Sequence, residues 1–270
     1  MILLSISIVI ALLVIIGLPI AAGFWLKNKL GVSWRVITFG VLGYFIVQVL
    51  VSLIFGGLSS VIPGWGNADT GETYLTSQIL FNVFLGALLG VLIRWGGMKF
   101  LKLETLESAY GIGVGYGGAE SIMLVGLPLL MTFITMVSNI NIDPQNTTLD
   151  PVMVNQIEEL WRLEFYIPLA TALERITAFV MHITVTVLIF QIFQRKQEAW
   201  LGAAVGLEML ITGLVVGLSE AGLHFAWVIF LAVVMMFGNL YILYRLNGFD
   251  FDIMHSLVEA EGDADMPDVP

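Results

Sequence analysis

The chain contains no cysteine, which excludes disulfides, thiolate metal sites and cysteine nucleophiles. It is also poor in charge: 12% of its 270 residues are Asp, Glu, Lys or Arg, against about 25% in soluble domains. Histidine is scarcer still, with three in the chain, so any imidazole chemistry must draw on His182, His224 or His255. What replaces these groups is apolar, 58% of the residues, with a mean hydropathy of +0.94. Soluble dinucleotide-binding enzymes, secreted disulfide scaffolds and cytosolic nucleic-acid binders are excluded on this composition. The expected class is all-α, a polytopic transmembrane bundle, with the lipid bilayer as solvent and no nucleic-acid partner.

A helix needs about 20 apolar residues to cross a bilayer. Seven such spans are expected, at roughly 3–26, 36–58, 74–93, 108–137, 163–193, 200–218 and 221–245. Lys27, Lys29 and Arg35, then Arg94, Lys99 and Lys102, then Arg195 and Lys196, and finally Arg245 fall in connections on one side. That is nine of the eleven basic residues, so this side is expected to be cytoplasmic, with the N-terminus outside and the C-terminus inside. Of the other two, Arg162 lies in an outer connection and Arg175 within a span. The first segment has no basic n-region and is followed by Lys27 and Lys29, which reads as a span rather than a signal peptide. The expected setting is a multi-pass protein of a prokaryotic cell membrane.

Two regions lie outside this pattern. Asp150-Pro151 is a helix start, and Met153, Ile157, Leu160 and Trp161 then recur at helical spacing opposite Glu158, Glu159 and Arg162. A helix near 150–162 in the outer interface is expected, feeding a span kinked at Pro168. Residues 247–270 hold seven acids and no Lys or Arg, and without those seven the net charge of −10 falls to −3. This segment reads as a disordered cytoplasmic tail after a membrane domain at 1–246.

Ionisable residues inside spans are costly unless paired or turned to a polar cavity, so each is a functional candidate. They are Glu120, Glu174, Arg175, His182, Glu208, Glu220 and His224. At 1.5 Å per residue from the cytoplasmic ends, Glu208 sits at about 12 Å, Tyr116 at about 14 Å and His182 at about 16 Å. Glu120 follows near 20 Å, Glu174 and Arg175 at about 27–29 Å, and His224 at about 31 Å. Arg175 and His182, seven residues apart, share a helix face. Such a ladder must admit water. Within it, Gly111/Gly115 and Gly113/Gly117 are small-xxx-small pairs for close helix approach, while Gly117-Gly118 is expected to leave Glu120 accessible.

Three segments together resemble the YhfC family of intramembrane metallopeptidases, which is distantly similar to CAAX-type and PrsW-type membrane proteases. Gly115-Tyr116-Gly117-Gly118-Ala119-Glu120 resembles the family's Gly-His-Gly-Gly-x-Glu element. Glu174-Arg175-Ile176-Thr177-Ala178-Phe179-Val180-Met181-His182-Ile183 resembles its Glu-Arg-x-x-Ala-x-x-x-His-Ile element. Leu223-His224-Phe225-Ala226-Trp227 resembles its Leu-His-Ala element. The resemblance covers most of residues 1–245 and implies peptide-bond hydrolysis in membrane-associated substrates. It implies Glu120, Glu174, His182 and His224 as site residues, either zinc ligands or the activator of a water. One carboxylate would then be the general base, and Arg175 would orient it or hold an oxyanion. Tyr116 stands where the family has histidine, and a tyrosine there can donate to an oxyanion. Val228 stands where the third element often has an acid, and Glu220 is the nearest replacement. The alternative from another class is a non-catalytic binder or transporter using the same polar ladder for a small solute or protons.

Overall fold

The computed structural model describes residues 2–65, 72–103, 105–138, 150–220, 222, 224–246 and 248–249. Of the acidic tail expected at 247–270, all but Gly248 and Phe249 lie outside the described residues. Every regular element described is helical, and seven helices are long and apolar enough to cross a membrane. The protein is therefore a multi-pass integral membrane protein. We number the helices α1 (Ile2–Leu30), α2 (Trp34–Val61), α3 (Glu72–Phe100), α4 (Leu106–Ser138), α5 (Pro151–Trp161), α6 (Tyr166–Arg195), α7 (Ala199–Glu220) and α8 (Phe225–Arg245).

The ends of these helices follow local rules. Gly31, at φ +66°, stops α1 just after Lys27 and Lys29, whose charges suit the negative helix end. The Thr105 hydroxyl accepts the Ser108 N–H at 3.2 Å to start α4. The Asp150 carboxylate accepts the Val152 N–H at 2.8 Å to start α5, with Pro151 in the first position, where no N–H is required. Pro168 falls in the first turn of α6 rather than in its interior, where the kink was expected; in a first turn a proline is tolerated. First-turn N–H groups have no intrahelical partner to lose.

The seven spans are not equivalent. In the most apolar stretch of α6, 78% of residues are buried, against 17–33% in those of the other six, while the first half of α4 is also enclosed, with 13 of the 16 residues of Leu106–Ser121 buried. Helix α4 lies between α2 and α6, and its glycines set both distances. A β-carbon on Gly115 would stand 2.1 Å from the Ile37 carbonyl oxygen of α2. One on Gly113 would stand 2.8 Å from Ile183 Cα of α6. The two small-residue faces thus serve two neighbours, as close packing in lipid requires. Single π-helical turns interrupt α1 at Leu13–Gly17 and α4 at Ile122–Gly126, the second directly after Glu120 and Ser121.

One boundary expectation fails. Arg94 does not open a basic cytoplasmic connection: α3 runs on to Phe100, and Arg94 lies inside it with 0% exposure. Its charge is retained in the interior because a carboxylate on α7 meets it there.

Candidate active site

His182 projects from the middle of α6 and is 2% exposed. Its neighbourhood is assembled by close helix approach. A β-carbon on Gly117 would lie 3.0 Å from His182 Cβ, so glycine is what lets α4 close on this histidine. The same contact corrects the expectation for Gly117-Gly118. A β-carbon on Gly118 would lie 2.8 Å from Pro19 Cβ of α1, so each glycine of the pair admits a neighbouring helix. With α4 so placed, Tyr116 and Glu120, one turn apart, both reach the His182 ring.

Carboxylates stand on both sides of the imidazole. Glu120 Oε2 is 2.9 Å from His182 Nε2, and Glu208 Oε1 of α7 is 3.5 Å from Nδ1. The first approach is too oblique and the second too long for a hydrogen bond, so both buried ring nitrogens are without one. Each side then ends in an arginine. Arg175 pairs through two nitrogens with Glu174, and its Nη1 lies 3.7 Å from Glu120 Oε1. Arg94 pairs with Glu208, and its Nε donates to the Gly90 carbonyl at 2.9 Å. Arg94 Nη1 donates to the Thr186 hydroxyl at 3.4 Å and the His182 carbonyl at 3.5 Å, and Thr186 donates to that carbonyl at 2.8 Å. The order is Glu174, Arg175, Glu120, His182, Glu208, Arg94, with a carboxylate on each side of the imidazole and an arginine behind each carboxylate.

Tyr116 packs its ring 5.1 Å from His182 and 5.7 Å from Tyr44, with Arg94 Cζ 4.4 Å from its centroid. Its hydroxyl lies beside Gly90, where a β-carbon would be 2.9 Å away. Tyr116 therefore joins the Arg94 side of the imidazole. Glu120, Glu174, Arg175 and His182 come together as well. His224 does not join them. It is exposed at the start of α8, where its Nδ1 accepts the Ala226 N–H at 3.3 Å as a helix cap. No hydrogen bond or ion pair links it to the other candidates among the described residues. Val228 is buried, and the Glu220 side chain lies outside the description. The residue that sequence reasoning missed is Arg94. The signal was available in Trp95, Met98 and Phe100, which continue the apolar character beyond it.

The charged chain borders open space. A cavity of about 340 Å³ is lined by Tyr116, Glu120, His182 and Glu208 together with residues of α2 and α3. A smaller one of about 80 Å³ is lined by Glu120, Glu174 and Arg175. Glu120 is common to both and its side chain is 20% exposed, while Glu208 is 6% exposed. The carboxylate beside His182 Nε2 is thus reachable by a cavity-bound molecule. Chemically the group offers a carboxylate base open to both cavities, with an imidazole on the larger and a guanidinium on the smaller.

A protein-family model described as YhfC intramembrane metalloprotease matches residues 10–234. No curated protein matches the chain. The family description implies a metal. A catalytic zinc takes three protein ligands and leaves one position open. His182, with its buried nitrogens lacking hydrogen bonds, and Glu120 beside Nε2 have the chemistry of two such ligands. A third does not converge: no three His, Asp or Glu among the described residues form a metal-binding group. Glu174 is engaged by Arg175 and Glu208 by Arg94, and Tyr116 stands where the family resemblance calls for histidine. The residues present do not fit a complete zinc site.

Proposed function

The chain belongs to the YhfC intramembrane metalloprotease family, and from that premise we propose that it hydrolyses peptide bonds in membrane-associated peptides at Glu120 and His182. The observation that carries this reading is the position of Glu120. Among the described residues it is the one carboxylate that touches the imidazole closely, stands near a guanidinium and opens on both cavities.

In this reading Glu120 takes a proton from a cavity water as the water oxygen attacks the scissile carbonyl carbon. The carbonyl π pair moves to oxygen, and Arg175 is the cation placed to hold that oxyanion in surroundings that strengthen the interaction. As the oxyanion pair re-forms the carbonyl and the C–N bond breaks, the proton passes through Glu120 or His182 Nε2 to the leaving nitrogen, giving a carboxylic acid and an amine. The acid then yields its proton to the amine or to water. Glu174 keeps the Arg175 fork oriented. Glu208 faces the other imidazole nitrogen and holds the ring. His224 has no role in this step; it caps α8.

Tyr116 supports a second reading. With a tyrosine under Arg94 in place of a histidine, the same cavity serves a binder that has lost its catalyst. Reconstituted protein incubated with a synthetic apolar peptide, followed by mass spectrometry of fragments, separates the two. The peptidase reading expects fragments from wild type and none from H182A. Zinc per chain, by elemental analysis, is expected well below one in wild type and higher in Y116H. If wild type makes no fragments while Y116H both binds zinc and cuts, the second reading stands.

A further inference from the structure

The cavity beside Glu120 has a second wall that the proposed chemistry does not use. Gln48 of α2 and Asn82 of α3 line it, and both side chains are exposed. Each sits well inside its span. Counting 1.5 Å per residue from the helix ends that carry the basic residues, Gln48 lies at about 21 Å and Asn82 at about 27 Å. Glu120 and His182, on the same measure, lie at about 21 Å and 20 Å. Gln48 is therefore level with the charged pair and Asn82 about one helical turn beyond it, both at a depth where an unpaired amide costs several kcal/mol in hydrocarbon, on the order of 4–8. Neither forms a hydrogen bond with any described residue. The remaining wall on these helices is apolar and mostly branched, with Val47, Val51, Ile79, Val83 and Ala87, and Gly86 has open space where a β-carbon would stand.

A carboxamide carries both a donor and an acceptor, which is the complement of a peptide group. In a membrane helix those peptide groups are already paired internally, so only an unwound segment can offer them to a side chain. Apolar strips around the two amides suit small or branched apolar side chains on that segment. A charged or polyol solute would leave the valine surfaces unmatched. Resting on the peptidase reading, we infer that Gln48 and Asn82 bind the main chain of an unwound apolar peptide segment and hold it across from Glu120. They are substrate-binding residues, and the substrate class is a membrane peptide that loses its helix locally.

The test uses full-length protein in phosphatidylcholine vesicles and a dansyl-labelled Leu/Ala peptide of about 20 residues with a central Gly-Gly. Energy transfer from protein tryptophan to dansyl reads binding, and fragment analysis reads cleavage separately. Wild type and E120Q are expected to bind the peptide equally. Q48L/N82L is expected to bind at least about tenfold more weakly, the loss of one or two hydrogen bonds. N-methylating the peptide main chain at the central residues is expected to weaken binding to wild type by a similar factor, and to change binding to Q48L/N82L little. That last comparison does not depend on how well the variant folds, because the change is in the peptide. N82Q, which keeps the amide, is expected to retain most of the affinity. Binding without any cleavage contradicts the peptidase reading and leaves this inference standing. Equal binding by Q48L/N82L, no effect of N-methylation, or no saturable binding by wild type overturns it.

Discussion

The two arginine–carboxylate pairs flanking His182 are alike in chemistry and opposite in setting. Arg94–Glu208 is sealed at the arginine, with side-chain exposures of 0% and 6%: the glutamate edge borders the larger cavity, while Arg94 also binds two main-chain carbonyls, a threonine and a tyrosine ring. Arg175–Glu174 is 14% and 18% exposed and borders the smaller cavity together with Glu120. A charge held from five directions by protein groups has one available position and serves geometry. A charge with a free side toward a cavity can meet a substrate. The contrast divides the site into a sealed half that positions the imidazole and an open half that meets the peptide.

Single substitutions on the sealed half are expected to have the largest effect on stability. R94M leaves Glu208 buried without its partner, at a cost of about 3–5 kcal/mol. Thermal unfolding in detergent measures this, and R94M/E208L, which removes both charges, is expected to recover most of the loss. If R94M unfolds at the wild-type temperature, the sealed half is not sealed. On the open half, R175K is expected to lower kcat by about 10²-fold, near 2.7 kcal/mol of transition-state stabilisation, with KM little changed. An equal fall in stability and activity would instead make Arg175 a structural partner of Glu174.

Smaller effects mark the edges of the comparison. H224A is expected to cost about 1 kcal/mol through the lost cap of α8, and to leave cleavage per folded molecule unchanged. A hundredfold loss of activity in H224A would return His224 to the site. R162A removes an exposed i,i+4 pair with Glu158, 3.2 Å long, and its effect on unfolding is expected to stay under about 0.5 kcal/mol.

The open half was largely legible in the sequence, and the sealed half was not. Glu120, Glu174, Arg175 and His182 stand in apolar runs where a charge has no ordinary reason to be, and helical phase alone places Arg175 and His182 on one face. Arg94 was hidden by its position. Near a span end and followed by Trp-Gly-Gly, it reads as the first residue of a basic loop, and only the tertiary approach of α7 shows that it is interior. His224 failed in the opposite way. Its short segment matches a motif, but the main chain at a helix start offers unpaired N–H groups, and the imidazole satisfies one of them. The glycines of α4 were legible as packing faces, yet which neighbour each served depended on two helices with no sequence connection to them.

The central claim is that Glu120 is the base of a peptidase centre. Its most direct test is the fragment yield of E120Q in reconstituted vesicles with the synthetic peptide, normalised to folded protein by thermal unfolding. The change keeps the side-chain shape and removes only the capacity to take a proton, so cleavage is predicted to fall at least about 10²-fold at an unchanged unfolding temperature. Wild-type yield from E120Q would contradict the account.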